Sequence, residues 1–253
     1  MKKILVLGVS CASTWMIVHE LKHHFRSVHI VIEEKEPVST FIRRRIYRLG
    51  IIPTIGQIAF AVYSKLGAAR ARPIVMAYIR RSGLEVRTLD DGKFTAVKSV
   101  NDPKVEEIIL SLQPDVIVVS GTRIIRKHIL DATKARFINA HYGITPMYRG
   151  VHGAYWALAQ SDAGNCGVTV HLVDRGVDTG GVLYQAHVAP GSSDNFFTYP
   201  TLQAITATPL MIRAVRDCLE GTAVVKATVS PSRQWYHPTL WQYVWTGVRR
   251  GVW

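Results

Sequence analysis

The densest group of chemically active side chains lies between Ser120 and Gln185. Asn139 and His141 stand two residues apart, and Asp178 follows in a glycine-rich segment. An amide, an imidazole and a carboxylate suit acyl transfer to an amine. Asn139 can donate a hydrogen bond to a developing oxyanion, and His141 can accept and return a proton near neutral pH. Asp178 can fix the tautomer of the imidazole, and no serine or cysteine elbow motif predicts a covalent nucleophile.

The surrounding pattern predicts the elements that must hold these side chains. Apolar runs at 3–7, 28–32 and 115–120 are typical of buried parallel strands, and a helix is expected at 14–25 with Ser13 as its cap. A further strand is expected at 86–89. The order of these segments predicts an α/β fold with a Rossmann-like doubly wound, mostly parallel sheet. Such sheets place ligands at the carboxyl ends of their strands, where Asn139 and His141 would point to the same side.

Four short motifs occur in one order and spacing. They are Asn-x-His at 139–141, Pro-x-Tyr-Arg-Gly at 146–150, Gly-x-Thr-x-His at 167–171 and Asp-x-Gly at 178–180. Together they resemble the folate-dependent formyltransferase family, which includes glycinamide ribonucleotide, methionyl-tRNA and nucleotide-sugar N-formyltransferases. The resemblance is strong over 100–189 and extends to 2–32 only in fold. It implies the formyltransferase fold, with Asn139, His141 and Asp178 as the catalytic residues and with no metal.

The resemblance also implies 10-formyltetrahydrofolate as the formyl donor. Its pterin is expected to contact, largely through backbone groups, Thr122, Arg123, Ile124, Ile125, Val173, Asp174 and Gly176. The expected contacts with the acceptor are Ser10, Ser13, Tyr142, Tyr148 and Arg149. Alternatives stay open here, because Ser10 and Ser13 can instead cap a helix and Arg149 can form a structural salt bridge. His171 is interpreted as a core histidine.

The acceptor is inferred by elimination within the family. The methionyl-tRNA enzymes usually carry a C-terminal β-domain, whereas about 30 residues follow Gly221 here. The glycinamide ribonucleotide enzymes have a Gly- and Asn-rich phosphate loop, which the segment 8–13 does not match. We therefore expect an amino-sugar nucleotide of surface-polysaccharide biosynthesis. The alternatives are another amine (glycinamide ribonucleotide, a hydroxyornithine-like amine or a tRNA-linked one) and a lipid-linked amino sugar.

The sequence departs from the family pattern at two places, and both are expected to lie near the acceptor. The segment after the catalytic histidine reads Tyr-Gly-Ile-Thr-Pro at 142–146, where Ser-Leu-Leu-Pro is common. Gly153 stands where many members have proline after Arg-Gly. Both departures bear on the identity of the acceptor rather than on the chemistry.

The formal net charge of +13 is confined to two segments. Residues 37–84 contain nine Lys and Arg and no acid, and the residues after Glu220 contain four Lys and Arg and no acid. The remainder is neutral, so the charge does not indicate a nucleic-acid partner. The predicted organisation is a catalytic domain at 1–221 with a helical basic insertion at about 39–83 after the second strand, and a C-terminal extension at 222–253 with an amphipathic helix.

Three interpretations of the basic insertion stay open. It can be a packing or homodimer element, an anion clamp for a nucleotide diphosphate, or a peripheral contact with an anionic membrane. Two or three short helices are expected in it. No run of 18 apolar residues predicts a transmembrane helix, and the nearest candidate, 49–64, contains Pro53, Gly56 and Gln57. Three dispersed cysteines favour a cytoplasmic protein, with a site at the inner membrane face as the alternative.

Overall fold

A computed structural model describes residues 1–227 and 231–253. Seven strands form one sheet in the order β3-β2-β1-β4-β5-β7-β8, and β6 pairs with β9 in a separate ribbon. The strands are β1 (Ile4–Val9), β2 (Val28–Glu33), β3 (Thr95–Val97), β4 (Val116–Ser120), β5 (Arg136–His141), β6 (Arg149–Gly150), β7 (Gly167–Leu172), β8 (Val182–His187) and β9 (Gln234–Trp235). Strands β1 to β5 of the sheet run parallel, and β7 and β8 are antiparallel to their neighbours. The predicted α/β, mostly parallel sheet is confirmed.

Helices cover both faces of this sheet. They are α1 (Ala12–His24), α2 (Val38–Leu49), α3 (Ile51–Ser82), α4 (Pro103–Leu112), α5 (Lys127–Asp131), α6 (Gly153–Ala159), α7 (Tyr199–Glu220) and α8 (Leu240–Arg250). Alternation along β1 shows why the strands read as continuous apolar runs. Ile4 and Val6 pack in the core under α1 and α7, whereas Leu5 and Leu7 pack in the core under α4 and α5. Residues 4–8 of β1 are therefore buried, whichever face they point to.

Two local expectations were wrong. Residues 86–89 are irregular, because Val86 and Leu89 pack against two different apolar clusters instead of pairing in the sheet. The strand beside β2 is β3, in the register Val31 to Thr95.

Helix α1 begins at Ala12 with Cys11 at its N-cap and without a side-chain cap. The Ser13 hydroxyl contacts the Cys11 sulfur at 3.2 Å instead.

The basic insertion contains two helices, α2 and α3, rather than two or three short ones. Helix α3 is 32 residues long, and Gly50 separates it from α2 with a φ of +85°. By length and composition alone, α3 qualifies as a membrane span, which the sequence pattern did not predict. Pro73 lies within the helix and Gly83 ends it. The division at residue 221 stays a prediction, although α7 ends at Glu220 beside that boundary.

Candidate active site

His141 lies at the end of β5 and is 5% exposed. Its Nε2 is 2.6 Å from the carbonyl oxygen of Tyr148, and its Nδ1 is 3.2 Å from Oδ2 of Asp178. A carbonyl oxygen only accepts, so Nε2 carries a proton. Burial lowers the pKa of His141, whereas the Asp178 carboxylate and the Tyr148 carbonyl oppose that shift. The ring is therefore a buried base whose protonated form has partners for both N–H groups.

Asp178 lies between two imidazole rings on the loop before β8. Its Oδ2 accepts a hydrogen bond from the backbone N–H of Gly150 at 2.9 Å, and its Oδ1 is 3.5 Å from Nε2 of His171. Burial alone would raise the pKa of Asp178, but the nearby His141, His171 and Gly150 N–H lower it to about 2. Its φ of +51° is uncommon for a residue with a side chain. The carboxylate is thus ionised; it accepts a hydrogen bond from the Gly150 N–H and faces both imidazole rings.

His171 belongs to this group, so interpreting it simply as a core histidine was incomplete. It lies opposite Asn139 in the antiparallel pairing of β5 with β7. The amide nitrogen of Asn139 is 3.2 Å from Nε2 of His171, and Nδ1 of His171 is 2.7 Å from the Leu172 carbonyl. This arrangement assigns the proton to Nδ1 and lets Nε2 accept from Asn139. His171 therefore orients the amide that would meet an oxyanion.

The segment after His141 is held by buried hydrogen bonds. The Thr169 hydroxyl donates to the carbonyl of Gly143 and accepts from the backbone N–H of Thr145. A Cβ at Gly143 would lie 2.2 Å from the Tyr148 carbonyl oxygen. A Cβ at Gly153 would lie 2.4 Å from Cα of Gly143. The two departures from the family pattern are thus in contact, and a side chain at either position would collide with backbone atoms.

A cavity of about 460 Å³ is lined by Asn139, His141, His171 and Asp178. Its volume is within the range of ligand pockets. All seven residues predicted for the folate side also line it: Thr122, Arg123, Ile124, Ile125, Val173, Asp174 and Gly176. The Arg123 guanidinium is engaged away from the cavity, by Glu33 and by the carbonyls of Glu34 and Lys98. Arg123 is therefore part of the loop that lines the cavity, and its guanidinium is held by these hydrogen bonds.

Only two of the five residues predicted to contact the acceptor line the cavity. Ser13 and Tyr142 line the cavity. The other three are not among its lining residues within the described ranges, and each has a partner in the chain. Ser10 accepts from the indole of Trp15, Tyr148 donates to Asp162, and Arg149 donates to the Val177 carbonyl. Arg149 thereby braces the Asp178 loop, so its geometry favours a supporting role over direct binding.

Sequence reasoning missed the histidine pair that closes the other side of the cavity. His152 precedes α6 with a φ of +59°, and its Nε2 is 2.9 Å from Nδ1 of His237. Both residues line the cavity together with Gln203. Burial lowers the pKa of His152 to about 3 and that of His237 to about 4. The two histidines are 85 positions apart, and no sequence pattern connects them.

The C-terminal segment also supports the catalytic group. Strand β9 pairs in parallel with β6, which contains Gly150. A Cβ at Gly150 would lie 2.2 Å from the Trp235 carbonyl oxygen, so β9 fits closely only because this residue is glycine. The N–H of Gly150 is the one that holds Asp178. No group of three or more His, Cys, Asp or Glu suited to a metal occurs in 1–227 or 231–253.

Comparisons with known proteins agree with this geometry. The sequence model of the family described as formyl transferase matches residues 60–195, more than half of the chain. A methionyl-tRNA formyltransferase from Chlorobium chlorochromatii is 33% identical over 132 residues, which are 52% of this chain and 39% of that enzyme. The chain thus aligns with less than half of that relative's length.

Solved structures share the fold over most of the chain. A sugar N-formyltransferase from a Shewanella species has a TM-score of 0.58 and 17% identity, with 92% of this chain and 76% of that chain covered. The N-formyltransferase from Helicobacter canadensis, solved with folinic acid and dTDP-3-aminofucose, has a TM-score of 0.57 and 15% identity, with coverages of 93% and 71%. With the family match and the motif geometry, these findings show that the chain belongs to the formyl transferase family.

Proposed function

We propose that this protein transfers a formyl group from 10-formyltetrahydrofolate to the free amine of an amino-sugar nucleotide. The observation that carries the proposal is one cavity whose wall contains Asn139, His141 and Asp178 together with both loops predicted for the folate. The Helicobacter canadensis relative was solved with a folate derivative and an amino-sugar nucleotide, which supports both substrate classes. The reaction is N-formylation without a covalent enzyme intermediate.

In this reaction the amine nitrogen bonds to the formyl carbon, and the bond from that carbon to N10 of the folate breaks. One proton leaves the amine and one is added to N10. Asn139 donates its amide hydrogen to the oxyanion that forms on the formyl oxygen, while His171 holds that amide. His141 takes the proton of the amine, and Asp178 stabilises the resulting imidazolium. Because both ring nitrogens have partners, the ring must exchange one of them for the amine or a water.

The test of the chemistry is substitution of the two residues on β5. Asn139→Ala and His141→Ala should each lower kcat by about a hundredfold or more, since one removes an oxyanion donor and the other a base. Glu107→Ala, at an exposed position on α4, is the control. Formylation is measured by mass spectrometry with 10-formyltetrahydrofolate. Unchanged rates in both variants would remove these residues from the mechanism.

A panel of acceptors tests the substrate. It should contain nucleotide-linked 3-amino and 4-amino sugars, glycinamide ribonucleotide, a hydroxyornithine and methionyl-tRNA. The tRNA candidate is included because the Chlorobium relative, a methionyl-tRNA formyltransferase, is 33% identical over its matched part. We expect turnover with a nucleotide amino sugar. Turnover confined to methionyl-tRNA would overturn the sugar assignment while leaving formyl transfer intact.

A further inference from the structure

Helix α3 has two apolar faces, and only one of them is packed against the protein. On the inner face, Phe60 lies 4.9 Å from Phe196 and 4.9 Å from Tyr243, measured between ring centroids. Gln57 on the same face donates to the carbonyl of His237 and accepts from Arg45. These contacts fix α3 along the body with a defined rotation about its axis.

The opposite face of α3 is an aliphatic stripe that points to solvent. After an adjacent pair at its start, its residues recur every three or four positions over four turns, which places them on one side of the helix. We call them the outer stripe: Ile51, Ile52, Ile55, Ile58, Val62 and Leu66. Their exposures range from 40% to 73%. A helix that is apolar all round is normally buried, so this stripe lacks the cover that its composition requires.

Helix α8 extends this apolar surface. Its Tyr243 and Gly247 are buried against the body, whereas four large apolar residues on the predicted amphipathic face are 43% to 72% exposed: Trp241, Val244, Trp245 and Val248. A Cβ at Gly56 of α3 would meet the Trp241 ring at 2.2 Å, so the two helices are in direct contact. The outer stripe and these four residues are together called the docking face.

Cations accompany the docking face. On α3, the 100° rotation per residue places Lys65 and Arg70 on the two flanks of the outer stripe. Arg48 on α2 and Arg249 at the end of α8 are exposed as well. In the part of the chain that the structure describes, none of these four has a carboxylate within salt-bridge distance. Neither α2, α3 nor α8 contains an acidic residue.

We propose that the docking face binds the surface of an anionic lipid bilayer, with α3 and α8 lying in the plane of the interface. The aliphatic side chains and the tryptophans would enter the headgroup boundary, and the flanking cations would contact lipid phosphates. Each such cation should raise the affinity for an anionic surface about fivefold. The inference is independent of which amine is formylated.

Two other uses of this surface fit less well. Crossing the bilayer would remove α3 from the packing of Phe60 and expose Gln57, which is 5% exposed in the fold. Association of two copies through the docking face would bring two sets of flanking cations together with no acidic residue on these helices to pair with them, which costs free energy that anionic lipids do not impose. Charge complementarity therefore selects the lipid surface.

The experiment is vesicle flotation of the full chain with phosphatidylcholine vesicles, with and without phosphatidylglycerol. We expect the protein to float with the anionic vesicles, and rising salt should weaken the binding. The double variant Ile55→Gln/Trp245→Gln should lower the vesicle affinity about tenfold or more. Arg48→Gln/Arg70→Gln should lower it for anionic vesicles and leave the weak binding to neutral ones unchanged.

Matched controls come from α4, on the other face of the sheet. Leu110 is 55% exposed and Lys104 is exposed, so Leu110→Gln and Lys104→Gln should bind vesicles like the wild type. Circular dichroism and thermal unfolding of each variant check the fold. Light scattering in parallel measures the mass in solution.

Three outcomes would overturn the proposal. One is failure of the wild type to bind anionic vesicles, and another is equal binding by the docking-face and α4 variants. The third is a dimer that Ile55→Gln/Trp245→Gln dissociates, since a second copy would then be the partner of this face. Vesicle binding is measured without substrates, so its failure would not affect the proposed formyl transfer.

Discussion

At the residue scale, Asp178 sets the charge state of the site. It faces His141 at 3.2 Å and His171 at 3.5 Å, and its pKa is lowered to about 2. Its negative charge opposes the lowering of the His141 pKa by burial. Because burial still keeps the pKa of His141 below 6.5, the proposed base is neutral near pH 7. In the proposed reaction the carboxylate stabilises the proton that this base receives.

This arrangement predicts the pH profile of the reaction. The acid limb of kcat/KM should have its midpoint below 6.5, the ordinary histidine value, because burial lowers the pKa of His141. Asp178→Asn removes the charge that raises this pKa, so the limb should move to still lower pH and the plateau should fall roughly tenfold or more. Steady-state rates across pH measure both effects. A wild-type limb above 6.5, or an upward shift in the variant, contradicts the assignment.

At the scale of elements, the loop after β5 contacts the start of α6 where Gly143 lies against Gly153. A Cβ on Gly153 would lie 2.3 Å from the Tyr142 carbonyl oxygen as well as 2.4 Å from Gly143. The same loop supplies the Tyr148 carbonyl that contacts His141. A shift of α6 is therefore transmitted directly to the base.

We predict that Gly153→Ala lowers both stability and activity. The added methyl group has no space, and overpacking of this kind costs about 1–3 kcal/mol. Urea unfolding measures the loss, and kcat should fall with it because His141 moves. Gly164→Ala is the control, since a Cβ there meets nothing within 4 Å. Equal stability of the two variants would show that α6 can move away without cost.

At the scale of the whole molecule, the C-terminal segment joins the catalytic body to the basic insertion. Its β9 holds the ribbon that positions Gly150, His237 pairs with His152, and the His237 carbonyl accepts from Gln57 of α3. The two basic segments are thus packed against each other and against one wall of the cavity.

The half-buried pair of His152 and His237 predicts how stability depends on pH. His152 and His237 have folded pKa values of about 3 and about 4, below the unfolded value of 6.5. The unfolded chain therefore binds more protons between these values, and stability is lost as the pH falls below 6.5. From about pH 7 to about pH 5, each histidine should lower the free energy of unfolding by about 1–2 kcal/mol.

Urea unfolding at the two pH values tests this dependence. His237→Gln should show a smaller loss at acidic pH than the wild type, because one of the two titrating rings is gone. His128→Gln, at an exposed position on α5, is the control and should keep the full dependence. A wild type that is equally stable at both pH values would contradict the burial of the pair.

The sequence by itself determined most of the sheet and the family, and it predicted the three residues that we propose as catalytic. Apolar runs buried on both faces make strands recognisable, and Asn139 and His141 are set by a period of two within one strand. Asp178 and the loops predicted to contact the folate follow from local motifs. Only the tertiary structure decided that His171 orients Asn139 and that His237 closes the cavity, because both depend on pairing between distant segments. It also decided that the apolar face of α8 points outward. Helical periodicity gives the two faces of a helix, but packing determines which of them meets the body.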